Sequence, residues 1–157
     1  NGNVDSFTGI AMAGGELTVN GNAQNHVGSA YRGDWRGMTG GVLRVKGMAG
    51  NDIGTFMRGG TIIIEGDAFI HVLTHGDGGT IILKGNVKGR VGGQAMKGDV
   101  YVYGTIENPM PGYKYVDEVE AEVEGEMAIF AHYVGDLGER HSTSKGQTVF
   151  ANLYLKK

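Results

Sequence analysis

Apolar and polar residues alternate in five short runs: Leu17/Val19, Leu43/Val45, Ile62/Ile64, Ile81/Leu83 and Val100/Val102. A spacing of two marks a strand with one buried face. Every run closes on a glycine, at Gly21, Gly47, Gly66, Gly85 and Gly104, and the intervals between them are 26, 19, 19 and 19 residues. Gly2 stands another 19 residues before Gly21. The period is therefore 19, and one unit carries seven extra residues, in or around Tyr31–Met38. After each closing glycine comes a small residue (Ala23, Ala49, Ala68, Val87) and then a second apolar position (Val27, Ile53, Val72, Val91).

Nineteen residues with two or three short strands leave no room for a helical crossover. The pattern predicts an all-β, parallel β-helix: each coil stacks on the last about 4.8 Å away, and equivalent residues form columns. Leu17, Leu43, Ile62, Ile81 and Val100 then fill one interior column. Residues 1–106 read as the coils, and residues 107–157 as an exit turn, "ENPMPG", followed by strands that cap or extend them. Alternation also predicts an outward column of Thr18, Arg44, Ile63, Ile82 and Tyr101, widened by Tyr103. Its apolar half (Ile63, Ile82, Tyr101, Tyr103) is an expected interface stripe, to be covered by the C-terminal strands or by a partner.

Composition narrows the function classes. The chain has 30 glycines but only two prolines in 157 residues, and no three-residue glycine period, which excludes collagen. A net charge of −3 with mixed signs gives no reason to expect nucleic acid or an anionic membrane as partner. No apolar run approaches a spanning length. With no cysteine, this chain offers no thiolate to an iron–sulfur cluster and no cysteine nucleophile, and a reducing cytoplasm is the expected location.

The extra residues "YRGDWRGM" concentrate the candidate chemistry: Tyr31, Arg32, Asp34, Trp35 and Arg36. Three readings stand. Tryptophan and arginine can anchor a partner protein; the arginines can clamp carboxylates on a ligand; or Asp34 can pair with an arginine while Trp35 seals the coil. Other groups read as architecture. Asn3, Asn22, Asp67 and Asn86 each follow a closing glycine, as turn chemistry requires. Lys46, Glu65 and Lys84 predict an outward charge ladder on successive coils. His71 and His75 are four apart in a bend and have no evident third ligand, so no metal site is expected. "DEVEAEVEGE" (117–126) reads as an amphipathic strand with a solvated acidic edge, and Met12, Met38 and Met57 as core filler. No residue is nominated as catalytic.

The grammar "VGxxMxGGxIxVxG" resembles the glycine-rich β-helix shared by glutamate synthase large subunits and the β-helical subunit of formylmethanofuran dehydrogenase. The pieces "GSAYRGDWRGMTGG", "GNDIGTFMRGGTIIIEGDA", "VKGRVGGQAMKGDVYVYG" and "YVDEVE" are closer to the second, over roughly residues 2–136. The resemblance implies a right-handed β-helix acting as a non-catalytic scaffold in a complex that reversibly fixes CO2 onto methanofuran. It places a molybdenum or tungsten pterin and iron–sulfur clusters on partner subunits and no cofactor here. The implied partners are those subunits and the methanofuran-type carrier, whose polyglutamyl tail the arginines could clamp. A formyltransferase/hydrolase complex and a glutamate synthase-like linker domain are the alternatives. The resemblance also implies further coils before Asn1, and leaves the final stretch "GERHSTSKGQTVFANLYLKK" without a role.

Overall fold

Leu17 stands opposite Leu43, Leu43 opposite Ile62, Ile62 opposite Ile81 and Ile81 opposite Val100, every pair in parallel strands. These offsets reproduce the spacing of the closing glycines. The computed structural model describes residues 1–137 and 149–157; residues 138–148 of the C-terminal stretch lie outside them. The described elements are all strands: β1 (Glu16–Val19), β2 (Val42–Val45), β3 (Thr61–Ile64), β4 (Ala68–Val72), β5 (Asp77–Leu83), β6 (Val87–Val91), β7 (Lys97–Val102), β8 (Ile106–Asn108), β9 (Lys114–Val123), β10 (Glu126–Gly135) and β11 (Ala151–Lys156). No helix among the described residues is long and apolar enough to cross a membrane.

Two sheets result. The larger runs β1-β2-β3-β5-β7-β11-β10-β9 and the smaller β4-β6-β8. The smaller sheet is parallel, and bridges from Ala49 to Ala68 and from Ile53 to Val72 carry its pattern one coil earlier. Side chains from both sheets meet in one apolar core. Leu43, Ile62 and Ile81 are fully buried from one side, and Ile53 and Val72 from the other. Burying each such side chain contributes about 1.5–3 kcal/mol. Met38 and Met57 are completely enclosed in the same core, where a flexible thioether fills the irregular bends.

The closing glycines are required by proximity rather than by a left-handed backbone. A Cβ at Gly66 would lie 2.7 Å from the carbonyl carbon of Gly47, and one at Gly85 would lie 2.5 Å from the Gly66 oxygen. Each coil rests on the backbone of its predecessor at this point, so no side chain fits.

Beyond the coils the chain extends the larger sheet. β11 joins β7 in parallel, with Leu153 opposite Val100; β10 then pairs antiparallel with β11, and β9 antiparallel with β10. The β9–β10 hairpin lies against the outer face. Ile63 and Ile82 are 3% and 5% exposed beneath Val123 and Phe130, with Val119, Ala121 and Ala128 alongside. Tyr101 stacks on Tyr154 at 4.5 Å, and the Phe130 ring meets Tyr101 and Tyr103 edge-on at 5.2 and 5.6 Å. The C-terminal strands, the first of the two covers expected for the stripe, thus bury Ile63 and Ile82, and they leave Tyr101 and Tyr103 half-buried. The physical reason is the alternation of β9, which turns Val119, Ala121 and Val123 inward while its glutamates face solvent.

Candidate functional site

Backbone hydrogen bonds locate the extra residues. The Ala30 amide donates to the Thr55 carbonyl at 3.1 Å, and the Gly37 amide donates to the Phe56 carbonyl at 3.0 Å. Neighbouring positions 55 and 56 thus receive residues seven apart, and the segment 31–36 leaves the coil between them. The excursion is fixed from within. The Asp34 amide donates to the Tyr31 carbonyl at 2.9 Å, and Asp34 accepts the Arg36 amide at 3.0 Å. Arg36 also grips Asp34 through Nε and Nη2, each 2.9 Å from a carboxylate oxygen. The guanidinium holds the Asp34 carboxyl below its ordinary range, against a smaller opposing effect of desolvation.

Trp35 does not lie down as a seal. It is 58% exposed, and Tyr31 is 59% exposed. The Arg58 guanidinium, from the next coil, sits 4.6 Å from the Trp35 ring centroid, with Arg36 at 5.9 Å. Arg32 extends over the Phe7 ring at 5.8 Å. Below Trp35 the bend continues into a column that the strand alternation did not announce. Phe56, His75 and Gln94 succeed one another at intervals of 19, all with left-handed φ, 58°, 54° and 56°. Phe56 and His75 stack at 4.8 Å. Trp35, Phe56, Arg58, His75, Asp77 and Met96 line an open groove of about 250 Å³ that also reaches Gln94. Extending the 19-residue alignment past the second apolar position would have revealed the column, since a fixed bend puts equivalent residues on one edge.

The remaining candidates separate from this groove. Among the described residues no three His, Cys, Asp or Glu side chains converge as a metal site. His75 belongs to the ring column, whereas His71 lines a different hollow with Arg90 and Asn108. The asparagine positions form a structural ladder. Asn3 accepts the Asn22 amide at 2.9 Å, Asn22 the Met48 amide at 2.8 Å, Asp67 the Asn86 amide at 2.7 Å and Asn86 the Thr105 amide at 3.0 Å. A second ladder runs beside it, unannounced by the closing glycines: Ser6 accepts the Asn25 amide at 3.3 Å, and Asn25 accepts the Asn51 amide at 2.8 Å.

The expected charge ladder Lys46–Glu65–Lys84 does not form. Arg44 takes Glu65 at 2.9 Å, Lys84 takes Glu124 at 3.2 Å, and Lys46 is left exposed. Glu124, at the hairpin turn, supplies a carboxylate that the local repeat could not announce.

A polar row crosses the four strands β9, β10, β11 and β7. His132 lies between Asp117 (3.0 Å) and Asn152 (3.1 Å), and Asn152 Nδ2 donates to Asp99 at 2.8 Å. It ties the hairpin and β11 to β7.

No protein family matches the sequence, and no curated protein matches it. Among solved structures, the fold is similar to a chain of the formyltransferase/hydrolase complex (FhcABCD) from Methylorubrum extorquens, solved with methylofuran. The TM-score is 0.79 at 21% identity, over 99% of this chain and 61% of that one. This chain thus spans about three-fifths of the length of its structural relative. At that identity the likeness establishes the fold.

Proposed function

We propose that this chain is a parallel β-helical, non-catalytic scaffold within a cytoplasmic complex that handles one-carbon units on a methanofuran-type carrier. The reading favours a formyltransferase/hydrolase complex over a dehydrogenase. The observation that carries it is the structural likeness over 99% of the chain to a component of a complex described as a formyltransferase/hydrolase and solved with methylofuran. The "YRGDWRGM" excursion supports a contact role, because it is held rigid at both ends and still leaves Trp35 and Arg32 facing solvent. Tyr31, Arg32, Asp34, Trp35 and Arg36 are its contact residues, and residues 1–106 its coil body.

The dehydrogenase reading rests on the motif resemblance and differs in what accompanies the chain. Affinity purification of the protein from its own organism separates the two. Companion proteins with formyl-transferring and hydrolytic activity, without molybdenum or tungsten, fit the hydrolase complex. Stoichiometric molybdenum or tungsten with iron–sulfur clusters in the companions would assign the dehydrogenase. A chain that purifies alone would remove the scaffold reading.

A further inference from the structure

β9 is the outermost strand of the larger sheet. Its ten residues pair with β10 on one side, and no strand joins the other side among the described residues. Such an edge presents a row of unpaired backbone N–H and C=O groups. Alternation sorts the side chains onto the two faces of the strand. Val119, Ala121 and Val123 turn toward Ile63 and Ile82, and Glu118, Glu120 and Glu122 turn to solvent. Lys157 takes Glu118, whereas Glu120 and Glu122 have no ion-pair partner among the described residues.

The space beside the edge is an independent observation. A groove of about 370 Å³ lies between β9 and the outer face of the coils, with Glu122 and Val123 above and Val42, Thr61 and Thr80 below. No β10 residue lines it, so it opens on the unpaired side of β9. Val42, Thr61 and Thr80 are equivalent, half-buried residues of β2, β3 and β5, and β-branched side chains of this kind suit the surface on which a strand lies.

We infer that this edge receives an extended segment of a partner protein, which pairs with β9 as one more strand and alternates apolar with basic residues. Its backbone satisfies the free edge, and its apolar side chains settle over Val42 and Thr61. Its lysines or arginines stand across from Glu118, Glu120 and Glu122. Main-chain bonds then supply affinity, and the alternate side chains supply specificity. Charge decides the class of occupant. A second β9 would set two glutamate rows side by side, and like charges on neighbouring strands repel, whereas opposite charges attract. The inference rests on the scaffold role proposed above and names the chemistry of one of its contacts.

The full chain is titrated by calorimetry with an acetylated Lys-Val-Lys-Val-Lys-Val-Lys amide. Its isomer Lys-Lys-Val-Val-Val-Lys-Lys, equal in charge but not alternating, is the control. The alternating peptide should saturate, bind at least about tenfold tighter than its isomer, and slow amide hydrogen exchange in β9. Glu120→Lys combined with Glu122→Lys should weaken it by at least about tenfold without lowering the melting temperature, and should let Glu-Val-Glu-Val-Glu-Val-Glu bind instead. Equal affinity for the two isomers, no binding of either, or binding that leaves β9 exchange unchanged overturns the inference. So does dimerisation of the chain alone in sedimentation with β9 protected, which would assign the edge to a second copy. The two readings fail separately: purification without companions removes the scaffold role, and the peptide result alone decides the edge.

Discussion

The guanidinium of Arg44 on β2 binds the carboxylate of Glu124 at the tip of the β9–β10 hairpin, joining positions 80 residues apart. Arg44 holds Glu65 on the neighbouring strand at the same time, and Lys84 closes the cluster onto Glu124. Four charged groups from three coils and the hairpin turn thus clamp the tip just where Val123 covers Ile63 and Ile82. Apolar burial supplies the larger energy; the charges fix where the hairpin lands.

This clamp should fail in acid. Burial would raise the Glu124 carboxyl, but the hydrogen bonds from Arg44 and Lys84 outweigh it and hold the group below its ordinary value of 4.5. A carboxyl depressed in the folded state contributes stability that is complete above its unfolded value and is lost as pH falls through its folded value. A double-mutant cycle of Arg44→Ala and Glu124→Gln by urea unfolding should give a coupling of about 0.5–1 kcal/mol at neutral pH. The coupling should vanish once the pH is well below 4.5. A coupling of zero at neutral pH, or one that persists in strong acid, contradicts the clamp.

The covered stripe gives a second expectation. Lysine at Ile63 or Ile82 would place an ammonium group beneath Val123 and Phe130, where those positions are 3% and 5% exposed. Each substitution should destabilise the chain by about 3–5 kcal/mol, the cost of an uncompensated buried charge. Hydrogen exchange should show the loss of protection concentrated in β9 and β10. A double lysine variant that melts like the parent and keeps hairpin protection would mean that the hairpin does not cover the stripe in solution.

The register was legible because the closing glycines repeat with the apolar pairs, and a one-residue slip would turn Leu43 and Ile62 outward. The position of the excursion followed from the same arithmetic. What covers Ile63 and Ile82 was not legible, since an apolar column states that it must be covered and not by what. Glu124 pairs with Arg44 through tertiary proximity alone, which no periodicity encodes. Trp35 illustrates the opposite limit: its sequence neighbours located the loop, but its contact with Arg58 one coil away is set by stacking that those neighbours do not encode. The Phe56–His75 column was hidden because an alignment centred on strands stops before the bends.

Stacking makes a last demand on glycine, and a paired substitution isolates it. A Cβ at Gly66 would meet the Gly47 carbonyl carbon at 2.7 Å, its oxygen at 2.8 Å and the Met48 amide nitrogen at 2.9 Å. These are backbone atoms of the preceding coil, which cannot swing aside as a side chain could. A Cβ at Gly14 would meet no heavy atom within 4 Å, and Gly14 has no left-handed φ. Gly66→Ala must therefore push two coils apart, at about 1–3 kcal/mol for overpacking and more if the neighbouring strand bonds lengthen. Gly14→Ala should stay within about 0.5 kcal/mol of the parent or gain slightly, because alanine restricts the unfolded chain. Urea unfolding of the two variants side by side measures the difference. If both alanines cost the same, close approach between coils is not what holds glycine at the end of each repeat.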